Sequence, residues 1–155
     1  MPHALLLTQC LQNDFVQPLG KYDALPNMLH VGYDEARRLM GEDPAEGPVA
    51  RVMRWAYQQP ESDLTLIHIH DWHNPDDPFQ AEHFRQFGAH CVAGTEGARF
   101  AFAEDVETFH RNVSTIDSPG LNDFIGTNLA EALAPFANQP LRVGVRSQDI
   151  LDTWV

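Results

Sequence analysis

Basic side chains are scarce in this sequence. Ten Lys and Arg stand against 22 Asp and Glu, Lys21 is the only lysine, and the formal net charge is -12 at pH 7. Such a field repels nucleic acid and anionic membranes, and no local Lys/Arg cluster offsets it, so neither is expected as a partner. Any mechanism that needs a lysine has Lys21 alone to draw on. Cysteine is rare as well, and Cys10 and Cys91 make no disulfide framework. No apolar run approaches the ~20 residues of a membrane span. The opening MPHALLLTQ has neither a basic region nor an apolar stretch long enough for a signal peptide. The expectation is a reduced, cytoplasmic protein.

What is present suits one compact domain over 1–155. The chain has 155 residues, 43% of them hydrophobic, and a chain of that size buries roughly 70% of the surface it exposes unfolded. Ala4 to Cys10 is an apolar run ending in polar residues, as expected of a strand buried on both faces of a parallel sheet. Leu11 to Phe15 turns away from it, and residues 16–30, with Pro18, Gly20 and Pro26, read as a surface loop. Val31 to Met40 reads as helix and 41–48 as a linker. Val49, Val52, Met53, Ala56 and Tyr57 then recur with the spacing of an amphipathic helix, which Pro60 ends. A strand over 64–70 and a short helix around Phe79 to Phe87 follow. Val106 to Val113 has strand-like content, Ser118-Pro119-Gly120 marks a turn, and Asn128 to Glu131 resembles a capping box. That box opens a helix with Leu129, Leu133 and Phe136 on one face. Leu141 to Val145 is a fourth strand. Strands alternating with helices predict right-handed crossovers and a doubly wound, mostly parallel α/β sheet.

The stretch from Leu64 to Thr95 carries the chemistry. It holds His68, His70, His73, His83 and His90, and Asp71 stands close before His73 where an apolar strand gives way to polar residues and prolines. Ligands bind outside the carboxyl ends of the strands in open α/β sheets. One carboxylate and two imidazoles suit zinc, iron or manganese with positions left open. Asp71, His73 and His90 are therefore the candidate metal ligands. The alternative is that Asp71 caps a loop and the histidines hold no ion. His83 is a weaker fourth ligand that also fits a helix face with Phe79 and Phe87. His68 and His70, within the strand, are read as hydrogen-bonded core residues. Cys91 is read as a small buried hydrophobe, and Cys10, at a strand end, as packing near the site. Thr153-Trp154-Val155 fits a pattern bound by strand addition.

These residues resemble a known family. Ala4 to Phe15, with Gln12-Asn13-Asp14-Phe15, is similar to the first strand and turn of isochorismatase-like cysteine hydrolases. Asp71-Trp72-His73 with His90-Cys91-Val92-Ala93-Gly94-Thr95 resembles the nicotinamidase-like branch. The resemblance implies a three-layer α/β/α fold, C-terminally shortened here. It further implies a divalent metal, zinc first, on Asp71, His73 and His90, and a small-molecule substrate, an amide or enol ether, near Phe15 and Trp72. It also implies a catalytic Asp, Lys and Cys, and here the sequence departs: Cys10 stands where the Asp belongs, His110-Arg111 where the Lys belongs, and no cysteine follows Val145. Three readings follow: a hydrolase impaired or inactive as this chain alone, a non-catalytic ligand-binding or subunit-interface module, or a metal-hydroxide hydrolase or non-haem iron site. Because a four-stranded sheet leaves an edge open, a homo-oligomer or a partner chain completing the sheet is also expected.

Overall fold

Strand β1 (His3–Gln9) sits between two neighbours, and that position explains its apolar run. In the structure, a computed structural model describing residues 3–109 and 113–147, four strands form one sheet in which the strand at 64–71 and the strand at 141–147 flank β1, and the strand at 114–118 lies beyond the former. Strands β2 (Leu64–Asp71), β3 (Ser114–Ser118) and β4 (Leu141–Ser147) all run parallel to their partners. Thr8 faces His68 across one ladder, and Asp71 faces Ser118 across another. The α/β, parallel, doubly wound architecture is as the alternation implied.

Side chains on β2 alternate between two cores, as the pleat requires. Leu64 and Leu66 join Phe15, Leu39, Val49, Met53 and Phe102 beneath helices α1 (Asn13–Val16), α2 (Tyr33–Met40), α3 (Pro48–Tyr57) and α5 (Ala103–Phe109). Ile67 and Ile69 join Leu5, Ile116 and Leu129 on the opposite face, under α6 (Leu129–Leu133). Helix α4 (Ala81–Phe87) follows a 3-10 turn at Pro78–Gln80. Helix α3 starts with Pro48 in its first turn, where a missing N–H costs nothing. Its N-cap Gly47 lies so close to the Met40 carbonyl that any Cβ would collide. Among its expected apolar stripe, Val52 is 40% exposed, and Ala50 is buried instead. At 100° per residue Val52 lies on the flank of the face that Val49, Met53 and Ala56 define.

Two expectations are corrected. The segment from Val106 does not run as a strand: Ala103–Phe109 is helical and the third strand is Ser114–Ser118. Phe102 is buried, and Val106 and Phe109 pack against the same core, a helical rather than alternating repeat. The third strand therefore ends at Ser118, not at His110-Arg111, and those two residues lie outside the described ones, as does Thr153-Trp154-Val155. At α6 the Asn128 side chain makes no cap. Thr127 takes that part, its Oγ1 accepting from Leu129 N at 3.2 Å. Arrival of the chain in a turn rather than extended leaves Asn128 at φ -101, ψ 22, outside the extended backbone an N-cap normally adopts.

His68 is a hydrogen-bonded core residue, as read; His70 is buried too, but its Nε2 has no hydrogen-bond partner among the described residues. The His68 ring is bonded by Thr8 Oγ1 on one nitrogen and lies 3.0 Å from the Tyr57 hydroxyl on the other. Both rings lie against Phe100, with centroids at 4.3 and 5.3 Å. Burial, with the neighbouring His70, pushes His68 down to about 3, and burial pushes His70 down to about 4. An unfolded histidine titrates near 6.5, so between there and about 4 the unfolded chain binds protons that the folded chain refuses. Stability is present above that window and is lost as the pH falls through it, by up to about 1.4 kcal/mol per pH unit for each histidine. Urea midpoints measured from pH 7 to pH 4.5 should fall steadily; a flat profile would show that these rings are not held neutral.

Candidate functional site

The site forms where three loops at the carboxyl ends of β1 and β2 are stitched together. His73 pairs with Val92 in an isolated parallel bridge, its N–H donating to Cys91 O and its carbonyl accepting from Ala93 N, both at 2.9 Å. That bridge places His73 beside His90. A second bridge joins Gln12 to Phe100. Gln12, fully buried, then reaches across: its amide oxygen accepts from Asp71 N at 2.8 Å, and its nitrogen donates to Asp71 O at 2.7 Å and Ala98 O at 2.8 Å. Asp14 accepts from Cys91 N at 2.7 Å and abuts Gly97 so closely that a side chain at 97 would strike its carboxylate. The Gln12-Asn13-Asp14-Phe15 match is thus a set of tethers that fixes Asp71 and the loop carrying His90. Cys10 and Cys91 both take positive φ, 54° and 41°, a region that non-glycine residues visit seldom and that gathers at functional sites.

Four potential ligands converge. Asp71 Oδ2 lies 3.5 Å from His73 Nε2 and 3.7 Å from His90 Nε2. His83 Nε2 is 3.2 Å from His90 Nε2, and the three histidines offer ligand atoms all within 4.8 Å of one another. Ligand bonds of about 2.0–2.2 Å put donor atoms around a shared ion roughly 3–4.5 Å apart. His73 Nε2 is buried and has no hydrogen-bond partner among the described residues, a state that costs free energy unless something occupies its lone pair. The donor set and that orphaned nitrogen fit a divalent metal ion. His83, the weaker sequence candidate, belongs to the cluster; it also packs on Phe87 with centroids at 4.9 Å, while Phe79 is 94% exposed and away from it.

Electrostatics agree with an anion ringed by imidazoles. Burial opposes ionisation of Asp71, but the His73 and His90 imidazoles beside it outweigh this and hold its carboxyl well below the usual range. Burial likewise works to lower His90, yet Asp71 and the Gly88 carbonyl raise it. His83 is lowered by burial and by its two histidine neighbours.

The other sequence candidates are distributed less evenly. Phe15 is buried with its ring 5.8 Å from that of His90. Trp72 lines a separate cleft of about 440 Å³ with His70, Thr115 and Asp117, which includes none of Asp71, His73 and His90. Cys10 sits at the site edge, its thiol donating to Asp71 Oδ1 at 3.5 Å. Burial, then the charges of Asp71 and Asp123, push that thiol well up, and burial does the same to Cys91. Neither is poised as a thiolate. Iodoacetamide at pH 7.5 should therefore label neither cysteine in the native protein and both in urea. Rapid labelling of native Cys10 would contradict this. Sequence reasoning missed Gln80, Ser118 and Asp123: Asp123 accepts from Gln9 Nε2 at 2.9 Å, and Ser118 closes β3 opposite Asp71. No local pattern marks them, because each reaches the site by tertiary contact.

No protein-family model and no curated protein sequence matches the chain. Solved structures do. An isochorismatase-like hydrolase from Alkaliphilus metalliredigens superposes with a TM-score of 0.64 at 16% identity, over 96% of this chain and 85% of that one. The fold is that of the isochorismatase-like α/β hydrolases. Within that class it resembles the nicotinamidase-like branch. The nicotinamidase/pyrazinamidase of Bacillus subtilis gives 0.63 at 22% identity over 92% of this chain and 70% of its own. The pyrazinamidase of Pyrococcus horikoshii in complex with zinc gives 0.57 at 22% identity over 94% and 70%. Among the described residues no helix is long and apolar enough to cross a membrane.

Proposed function

We propose that this chain holds a divalent metal, zinc first with iron or manganese as alternatives, on Asp71, His73, His90 and His83. The site would bind a small amide or enol ether in the manner of nicotinamidase-like hydrolases, without thiol chemistry of its own. The observation that carries the reading is the buried His73 Nε2, without a partner among the described residues, beside Asp71 and within the cluster it forms with His83 and His90. The zinc complex of the Pyrococcus horikoshii pyrazinamidase supports the choice of metal. A bound metal would supply Lewis acidity to a carbonyl, or a positive anchor for a ring nitrogen. Phe15, buried with its ring 5.8 Å from that of His90, would give the ligand an apolar wall beside the metal ligands. Cys10 stays protonated against Asp71, so it neither attacks a carbonyl nor accepts a proton. The end of the third strand, where the family's lysine was expected, carries Ser118 opposite Asp71, and this position takes the place first given to Arg111.

Calorimetric titration of the zinc-loaded protein with nicotinamide and pyrazinamide, beside an ammonia-release assay, tests this. Binding without turnover, or turnover untouched by Cys10→Ser, supports the reading; turnover abolished by Cys10→Ser overturns it. Among the described residues β4 has a partner on one side only, and Val143 on it is 57% exposed. Open edges of this kind template pairing, and a second copy or a partner chain is proposed to cover it. Sedimentation should show self-association in the micromolar range. A strictly monomeric, cooperatively folding species would count against it.

A further inference from the structure

We propose that Gln80 is the positioning residue that sets the tautomer of His73, with Asp77 behind it fixing which way the Gln80 amide points. Gln80 is 7% exposed. Its Oε1 lies 3.1 Å from His73 Nδ1 and also accepts from Asn74 N at 3.2 Å. Its Nε2 donates to Asp77 Oδ2 at 3.0 Å. A carboxylate on one side and a backbone N–H on the other leave the amide a single orientation, oxygen toward the imidazole. An amide oxygen only accepts, so His73 Nδ1 carries the proton and Nε2 is left as a bare lone pair. That lone pair is one of two buried side-chain nitrogens without a partner among the described residues, the other being His70 Nε2 outside the cluster. Without Gln80 the His73 ring would gain by protonating Nε2 instead and donating to Asp71 Oδ2, 3.5 Å away. The metal-binding nitrogen would then be blocked. The second oxygen of Asp77 accepts from Phe79 N at 3.0 Å, so the short 3-10 turn that precedes α4 anchors the whole relay. His90 is treated alike by a simpler device, its Nδ1 donating to Gly88 O at 2.9 Å.

The proposal rests on the metal reading only for its affinity arm; its tautomer arm needs no metal. Long-range nitrogen–proton NMR on metal-free protein labelled at histidine should show His73 as the Nδ1–H form. Gln80→Leu should shift it toward Nε2–H. Competition with a zinc chelator should show Gln80→Leu binding zinc about 10–100-fold more weakly. A paired variant guards against a simple folding defect: Asp77→Asn with Gln80→Glu exchanges amide and carboxylate while keeping an oxygen toward His73, and it should restore both the tautomer and the affinity. An unchanged tautomer in Gln80→Leu, or a paired variant as impaired as Gln80→Leu, would overturn the proposal. Should the parent protein bind no zinc while its tautomer still follows Gln80, the metal reading fails and the positioning role stands.

Discussion

Protein equilibrated with zinc and desalted is expected to carry close to one ion per chain, and an Asp71→Ala/His73→Ala variant none. The two changes remove the carboxylate that the described residues bring to the cluster and its fully buried His73 imidazole. Loss of a residue that merely orients a ligand costs about 10–100-fold in affinity. Loss of two ligands together should therefore exceed about 1000-fold. Elemental analysis gives the stoichiometry, and a chelator titration gives the affinity. Because imidazole ligands must be deprotonated, loading should fall as the pH is lowered. The variant should remain folded, since Asp71 and His73 are held chiefly through their backbone groups by Gln12, Cys91 and Ala93. Absence of metal from both proteins would favour a non-catalytic module and direct attention to a partner chain.

Gln12→Leu is expected to destabilise the fold by about 3–5 kcal/mol, because it leaves up to three buried backbone groups unpaired at about 1–3 kcal/mol each. Those groups, the N–H and carbonyl of Asp71 and the carbonyl of Ala98, belong to the end of β2 and to the loop after α4, which the Gln12 amide joins. A leucine fills nearly the same volume, so the effect reports the hydrogen bonds rather than a cavity. Urea unfolding should show a lower midpoint with little change in slope. Zinc affinity should also fall, because Asp71 loses the clamp that aims it at His73 and His90. A loss of under about 1 kcal/mol with unchanged zinc affinity would mean that water replaces the amide and that the loops hold themselves.

Much of this architecture was legible in one dimension. The apolar run from Ala4 to Cys10 is a local fact, and so are the α3 stripe and the break at Pro60; burial of β1 and β2 between neighbours follows from such runs. The error at 106–113 arose where content and periodicity disagree. Val106, Phe109 and Val113 are strand-like in type, but Phe102, Val106 and Phe109 share a helical face. The misplaced third strand carried the expected lysine position with it, from Ser118 to Arg111.

The sequence by itself determined the parallel α/β fold and three of the four converging ligands, because Asp71 and His73 share one strand end and His90 sits in a glycine-flanked turn. Tertiary structure alone decided that His83 joins them, that Trp72 faces another cleft, and that Cys10 is a protonated neighbour of Asp71. It also decided the tethering by Gln12 and Gln80. The physical reason is range: periodicity and turn chemistry act over a few residues, whereas each of these contacts depends on a side chain crossing between segments. Their geometry exists only once the bridges Gln12 to Phe100 and His73 to Val92 have closed.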